Sequence, residues 1–185
     1  QVVSMDYDSH LGVLVLALDN GLCVLFRVSF QERIHFASAH LIAESGVVCV
    51  RVGSIAHVLA IARSDCSISV FRLSWQNESL QPVQCFEFDI RRLDDLYPPS
   101  GPAHVTSMAW TRENDHLAVV YAGRCFAVWN QQEAVIWLKT LARGCCQWSA
   151  TGDSLLFGDD SLHLQRLFII PTVRQLAYRL SSHPT

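Results

Sequence analysis

The sequence contains few charged residues and almost no lysine. Lys139 is the only lysine among 14 basic residues, 17 residues are acidic, and the formal net charge is -3. The arginines are scattered and form no basic stripe of the kind that neutralises phosphates. We therefore predict a protein that does not bind nucleic acid.

Long hydrophobic runs are also absent. The longest run, residues 11–18, is well short of the roughly 18–20 apolar residues that a membrane-spanning helix needs, and no basic segment precedes a hydrophobic run at the start. We therefore predict no membrane span and a cytoplasmic location. Because the chain begins at Gln1 rather than at methionine, we also expect it to be a slice of a longer protein.

Motifs for catalysis or for cofactor binding are missing as well. The sequence has no phosphate-binding glycine loop, dinucleotide fingerprint, nucleophile elbow or zinc-protease helix motif. Its eight histidines and seven cysteines show no zinc-ligand spacing and no Cys-x-x-Cys pair. We expect no catalytic residue, no cofactor and no metal, and we interpret the cysteines as small core residues in a reducing compartment.

The sequence does contain many hydrophobic residues, and they are arranged in a repeat. Hydrophobic residues make up 50% of the chain, which excludes a disordered protein. Four segments of equal length superpose without a gap, and they begin at Val2, Val47, Val105 and Arg143. The repeat predicts one structural unit per segment.

Within each segment, three short apolar stretches are separated by polar turns, a pattern typical of strands. In the third segment these stretches are residues 105–110, 117–121 and 125–129. A fourth strand is predicted in the connectors, at residues 33–37, 83–88 and 134–138. Asp19-Asn20-Gly21 predicts a tight hairpin turn of the primed type, since Asn and Gly tolerate positive φ.

The predicted fold is therefore all-β, with about four four-stranded antiparallel blades. The blades are predicted to span residues 2–46, 47–104, 105–142 and 143–168, and residues 169–185 are predicted to form a tail or the outer strand of the last blade.

The third segment resembles a WD-repeat β-propeller blade. Ala103-His104 precede its first strand, Trp110 ends that strand, and Trp129-Asn130 stand where the family often has Trp-Asp. The family's structural aspartate is absent from Tyr121-Ala122-Gly123, so a complete His/Asp/Ser/Trp hydrogen-bond tetrad is not expected. The resemblance implies a WD-repeat propeller segment that belongs to a larger propeller.

Among WD-repeat proteins, the chain most resembles the Ric family, the large subunits of Ric–Rgp guanine-nucleotide exchange complexes for a Golgi Rab GTPase. The residues that carry the resemblance are Met5-Asp6-Tyr7, Gly12 and Asp19-Asn20-Gly21 in the first segment, and Tyr97-Pro98, Gly101-Pro102-Ala103, Met108-Ala109-Trp110, Ala118-Val119-Val120 and Trp129 in and before the third.

This resemblance implies a non-enzymatic scaffold in retrograde vesicle trafficking. Its implied partners are an Rgp-type subunit and a Rab GTPase, and its implied location is peripheral on Golgi membranes. The alternatives are a coat, tether or other WD-repeat adaptor without exchange activity, and a propeller enzyme. An enzyme would need acidic or histidine side chains on the first strands, where the sequence is apolar or small.

The candidate partner-binding site is the long connector between the second and third segments. It holds apolar and aromatic residues beside Pro98, which stiffens the backbone, and charged residues that could form a rim. Insertions between repeats often map to a binding face. The alternative is that the extra residues form a disordered loop that binds nothing. The predicted site residues are Arg91, Arg92, Leu93, Asp94, Asp95, Leu96, Tyr97 and Pro98.

Aromatic residues recur at fixed places in the segments. A stacking platform would explain the repetition, but packing between adjacent blades is the interpretation we favour. The predicted structural aromatics are Phe26, Phe71, Trp110, Trp129 and Trp148.

Overall fold

The computed structural model describes eleven stretches of the chain, and for part of the strand residues it describes the backbone alone. The described residues are 1–29, 35–43, 46–76, 79–90, 103–111, 113–122, 125–130, 134–139, 145–148, 154–158 and 164–168. The regular elements in these stretches are all β-strands.

The strands form four antiparallel sheets, and in each sheet they pair in chain order. The first sheet contains β1 (Val2–Asp8), β2 (Val13–Leu18), β3 (Leu22–Ser29) and β4 (His35–Ala43). The second contains β5 (Val47–Gly53), β6 (Val58–Arg63), β7 (Ile68–Gln76) and β8 (Ser79–Phe88).

The third sheet contains β9 (His104–Trp110), β10 (Leu117–Ala122), β11 (Cys125–Trp129) and β12 (Ala134–Lys139). Three strands of the fourth sheet are described, namely β13 (Cys145–Trp148), β14 (Ser154–Gly158) and β15 (Leu164–Phe168). The all-β prediction of antiparallel blades is confirmed. The predicted tail, residues 169–185, lies outside the described residues.

The outermost strands differ from their predicted bounds. The first was predicted at residues 33–37, but β4 runs His35–Ala43, because it pairs along β3 from Leu22 to Ser29. The second, β8, begins at Ser79 and contains Pro82, which is compatible with an edge strand because no further strand needs the missing N–H.

The described chain divides into two compact units, Gln1–Arg92 and Leu93–Thr185. In the first unit, alternate residues of β2 (Val13, Val15 and Ala17) are fully buried, and they pack in one cluster with residues of the second sheet such as Leu59 and Ile61. The first and second sheets, which we call blades 1 and 2, therefore share a core, as expected for repeats that bury their faces against neighbours.

The second unit contains two strands without alternation. Every residue of β10 and of β11 is buried. A strand that is buried along its whole length has both faces covered, which explains the uninterrupted apolar sequence of these two strands.

The turns of the first two blades repeat one another in detail. Gly21 and Cys66 hold the same place between the second and third strands, with φ of 83° and 69°. The preceding Asn20 and Asp65 each accept a hydrogen bond from the backbone N–H two residues on, at 3.1 and 3.0 Å. The sequence predicted a primed turn with positive φ at both Asn20 and Gly21. The structure has positive φ at Gly21 but not at Asn20, so the prediction is wrong for Asn20.

Candidate interaction sites

The long connector was the predicted partner-binding site, and its predicted residues, Arg91 to Pro98, lie outside the described residues. The structure does describe the two places where the connector joins the sheets. On one side Phe88 and Ile90 are buried, with 2% and 3% of their surface exposed. On the other side Val105 is buried in β9. Each end of the connector is thus anchored by apolar side chains in its own unit.

The predicted structural aromatics differ in their environments. Trp129 and Phe71 are buried, with 1% and 6% of their surface exposed. Phe26 and Trp110 are half-buried. For Trp148 the structure describes only the backbone, in β13.

Trp129 is held by a side-chain hydrogen bond within its blade. Its indole Nε1–H donates to the hydroxyl of Tyr121 at 3.1 Å, and both residues are buried. Tyr121 lies in β10, the strand beside that of Trp129. In a blade whose turn lacks the expected aspartate, the tryptophan therefore donates its hydrogen bond to a tyrosine hydroxyl. This bond satisfies the indole N–H, a donor that would be costly to bury alone.

A serine side chain links the third and fourth sheets. The Ser107 hydroxyl, on β9, accepts the backbone N–H of Cys146 at 3.2 Å and donates to the carbonyl of the same residue at 3.4 Å. Ser107 and Cys146 are both buried. Because β13 is an edge strand of its sheet, this contact gives a polar partner to backbone groups that have no neighbouring strand.

The first and second sheets are linked in the same way. Ser4 on β1 accepts the backbone N–H of Val50 at 3.3 Å, and Asp6 accepts that of Val52 at 2.8 Å. Ser4 and Ser107 are the third residues of their segments, and Val50 and Cys146 are the fourth residues of theirs. The repeat thus contains an interblade serine contact, which sequence reasoning missed although the superposed segments align the two serines.

The turn between β9 and β10 brings a hydroxyl, a carboxylate and an imidazole together. Thr111 Oγ1 donates to Asp115 Oδ1 at 2.6 Å, and His116 Nδ1 lies 3.0 Å from Asp115 Oδ2. Burial opposes ionisation of Asp115, but the hydrogen bonds from Thr111 and His116 outweigh it and hold its pKa below the ordinary value. The hydroxyl donates to the carboxylate and also contacts the backbone of His116, but it does not donate to the imidazole. The arrangement therefore stabilises the turn and does not activate a nucleophile.

The buried cysteines are in environments that suppress thiol reactivity. Burial raises the pKa of Cys23 to about 12, and burial likewise raises the pKa of Cys49. The nucleophilic form of cysteine is the thiolate, so burial lowers the reactivity of both thiols. These two residues are packing residues of the first unit.

In the described part of the chain, histidine, cysteine and acidic residues form no group of three or more that could hold a metal ion. No helix within the described ranges is long and apolar enough to span a membrane.

Comparison by sequence gives no match, either to a family model or to a curated protein. Comparison by structure matches several propeller proteins. The β-propeller domain of Cps50 (Swd1) from Myceliophteria thermophila is 12% identical, with a TM-score of 0.69 over 92% of this chain and 54% of that chain. Hsv2 from Kluyvelomyces marxianus is 17% identical, with a TM-score of 0.63 over 90% and 52%.

A structure of the mitotic checkpoint complex also matches, at 15% identity and a TM-score of 0.64 over 90% of this chain and 47% of that chain. The WD40 domain of Toxoplasma gondii coronin matches at 10% identity and a TM-score of 0.61, over 89% and 43%. This chain therefore spans about half the length of the propeller structures that it matches. Its fold is a WD-repeat β-propeller segment.

Proposed function

We propose that this chain is part of a protein-interaction scaffold and not of an enzyme. The observation that carries the proposal is the propeller fold, whose stacked sheets expose turns, connectors and outer strands to partners. The described titratable groups support it, because Asp115 and His116 staple a turn and the thiols of Cys23 and Cys49 are buried. One of the matched structures is itself a multiprotein complex.

We propose further that the scaffold is a Ric-type large subunit of a guanine-nucleotide exchange factor for a Golgi Rab GTPase. Some of the residues that carry the resemblance lie in the core, and others lie in the long connector. Met108 and Trp129 are buried and serve the fold. Tyr97 and Pro98 belong to the long connector, whose length a blade does not require. The connector residues therefore support the specific assignment more than the core residues do.

An exchange factor needs surface rather than catalytic groups of its own, because it acts by deforming the nucleotide site of the GTPase. In this proposal Leu96 and Tyr97 anchor the partner, and the charged residues beside them tune the association rate more than the affinity. The motifs missing from the sequence are compatible with such a mechanism.

The test is to replace Leu96 and Tyr97 together by Ala in the full-length protein. We expect the dissociation constant for an Rgp-type subunit or a Rab GTPase to rise about fivefold or more, while the thermal midpoint is unchanged. Partner recovery by pull-down and release of fluorescent GDP from the GTPase are the two readouts. The matched control is Ile55→Ala with Val83→Ala, since these apolar side chains are 58% and 59% exposed.

The outcomes separate the candidate functions. Unaltered partner recovery and unaltered GDP release in the Leu96/Tyr97 variant would show that the connector does not bind the partner. The exposed blade edges would then become the candidate binding sites. Partner binding by the unmodified protein without faster GDP release would favour the second candidate, a coat or tethering adaptor. This second candidate has the same support from the fold as the first.

A further inference from the structure

Two basic residues lie next to each other at one end of the second sheet. Arg72 on β7 pairs with Val58 on β6 and with Val83 on the outer strand β8. His57 directly precedes Val58, and its carbonyl accepts the backbone N–H of Leu73 at 2.7 Å. Both His57 and Arg72 are exposed, and Val83 beside Arg72 is 59% exposed. We call His57 and Arg72 the basic pair.

Within the part of the chain that the structure describes, neither member of the basic pair has an ion-pair partner. The acidic residues described in the second sheet, Asp65, Glu87 and Asp89, lie toward its opposite end, near the turn between β6 and β7. Glu87 is engaged there by Arg63, whose Nη2 lies 3.2 Å from its Oε1. Because a guanidinium is charged at every physiological pH, Arg72 is a positive charge that no described carboxylate balances.

The carboxylates at the corresponding end of the first sheet have backbone partners of their own. Asp6 accepts the N–H of Val52 at 2.8 Å. Asp8, which is 5% exposed, accepts the N–H groups of His10 and Leu11 at 2.9 and 2.7 Å. These carboxylates stabilise a turn and the contact between two blades, and they do not neutralise the basic pair.

His57 has a backbone conformation for which the first blade uses glycine. Gly12 and His57 are the eleventh residues of their segments, and their φ angles are 60° and 50°. The carbonyls of both accept a backbone N–H from the third strand, that of Val28 or of Leu73, at 2.7 Å. A residue with a side chain is strained at such a φ, and strained residues that persist cluster at functional sites. The imidazole of His57 is therefore a candidate contact residue.

The outer edge beside the basic pair is poorly suited to the addition of another strand. Leu73 donates its backbone N–H to the β6 side, so Pro82, which lies opposite Leu73 on β8, directs its backbone to the outside of the sheet. Proline has no N–H to offer an added strand. A partner at this end is therefore recognised by side chains rather than by strand pairing.

The chemistry of the basic pair suits a carboxylate. A guanidinium binds a carboxylate through two parallel N–H···O bonds, and an imidazole can donate a further one. We propose that the basic pair binds an acidic segment of a partner protein. This contact goes beyond the proposed function, which places partner binding on the connector, so the failure of one would leave the other standing.

The test uses a fluorescein-labelled peptide of alternating aspartate and leucine residues, whose anisotropy is measured against the full-length protein. We expect saturable binding, and Arg72→Glu should raise the dissociation constant about tenfold or more. The matched control is Arg27→Glu, because Arg27 is exposed at the same place in the first blade, where glycine stands in place of the histidine. The control changes the net charge equally but should raise the dissociation constant less than about twofold, since salt screens distant charges.

The variant His57→Gly separates binding from stability. It relieves the positive φ and should raise the melting temperature, but it removes the imidazole and should raise the dissociation constant about threefold. A residue with a structural role alone would leave the dissociation constant unchanged.

Circular dichroism verifies that the variants are folded, and Arg72→Gln replaces Arg72→Glu if the latter is not. Absence of peptide binding by the unmodified protein, equal weakening by Arg27→Glu, or an unchanged dissociation constant in either the Arg72 or the His57 variant would each overturn the proposal. Equally tight binding of a DNA oligonucleotide or of phosphatidylserine vesicles would also overturn it, because either result would show a general attraction of anions.

Discussion

The hydrogen bond between Trp129 and Tyr121 allows a quantitative test of how the third blade is stabilised. Trp129 is 1% exposed and Tyr121 is 0% exposed, and the indole Nε1 lies 3.1 Å from the tyrosine hydroxyl. Three single variants separate the contributions. Trp129→Ala removes the ring, Trp129→Phe removes mainly the donor, and Tyr121→Phe removes the hydroxyl that accepts the hydrogen bond.

The magnitudes follow from the buried surface and from the hydrogen bond. A buried tryptophan removes about 150–250 Å² from water, or about 4–6 kcal/mol at about 25 cal/mol per Å². This value is an upper bound, since the unfolded chain already buries part of that surface. We therefore expect Trp129→Ala to lower the free energy of unfolding by about 3–5 kcal/mol. Tyr121→Phe should cost about 1 kcal/mol or more, because it leaves the buried indole N–H without this acceptor.

The assay is urea denaturation followed by far-UV circular dichroism, because the chain has five tryptophans and its fluorescence would report several places at once. The double variant Trp129→Phe/Tyr121→Phe completes a thermodynamic cycle with an expected coupling of about 1 kcal/mol. Trp129→Ala unfolding within about 1 kcal/mol of the unmodified chain would show that the ring is not a core residue. A coupling of zero would show that the hydrogen bond contributes nothing to stability.

Three further predictions concern an interblade hydrogen bond, two residues with positive φ, and the reactivity of two cysteines. Ser107→Ala removes the interblade hydroxyl and should cost about 1–2 kcal/mol in urea denaturation; no change would mean that the contact is incidental. Gly12→Ala should destabilise the fold by about 1–2 kcal/mol, since φ is +60° and an added Cβ would lie 2.9 Å from the carbonyl oxygen of Val28. His57→Gly should instead stabilise the fold by up to about 1 kcal/mol, because His57 has a φ of 50°, which glycine adopts without strain. Equal melting temperatures would contradict both. At pH 8 iodoacetamide should label the exposed Cys85 well before Cys23, which is buried and whose pKa is raised to about 12. Mass spectrometry measures the order of labelling, and labelling of Cys23 first would contradict its burial.

The central strands could be predicted from the sequence because their side chains have one of two simple environments. β2 alternates between buried and half-buried positions, and the sequence VLVLAL with its bounding turns is sufficient to place it. β10 and β11 are covered on both faces and are continuously apolar. Local composition and the repeat together therefore locate these strands within one or two residues.

The outermost strands could be placed less accurately, because pairing with the neighbouring strand decides where each of them begins and ends. The residues of β4 (HFASAHLIA) mix polar and apolar positions without a clear period, so the sequence gives little indication of where the strand begins. Its start and end are determined by β3, along which it pairs from Leu22 to Ser29. An edge strand has one partner and tolerates polar residues and proline, so its composition carries less information.

The hydrogen-bond partners were beyond prediction for a different reason. The missing aspartate in the turn after Tyr121 indicated an incomplete tetrad, but no pattern showed that the Tyr121 hydroxyl reaches Trp129. The serine contacts depend on how one blade is positioned against the next, a relation that strand periodicity does not encode. Alignment of Ser4 with Ser107 was the available signal, and it becomes meaningful only with the distances to Val50 and Cys146.

Phe26 and Phe71 show why residues at equivalent places in the repeat can differ in burial. Each ends its segment, each lies on the third strand of its sheet, and each was expected to be a structural aromatic. Phe71 is 6% exposed because blade 1 packs against it, whereas Phe26 is half-buried. In a repeat protein the burial of such a position depends on the neighbouring repeat as well as on its own. The repeat pattern therefore predicted that both residues belong to the third strand, but it could not predict how deeply each is buried.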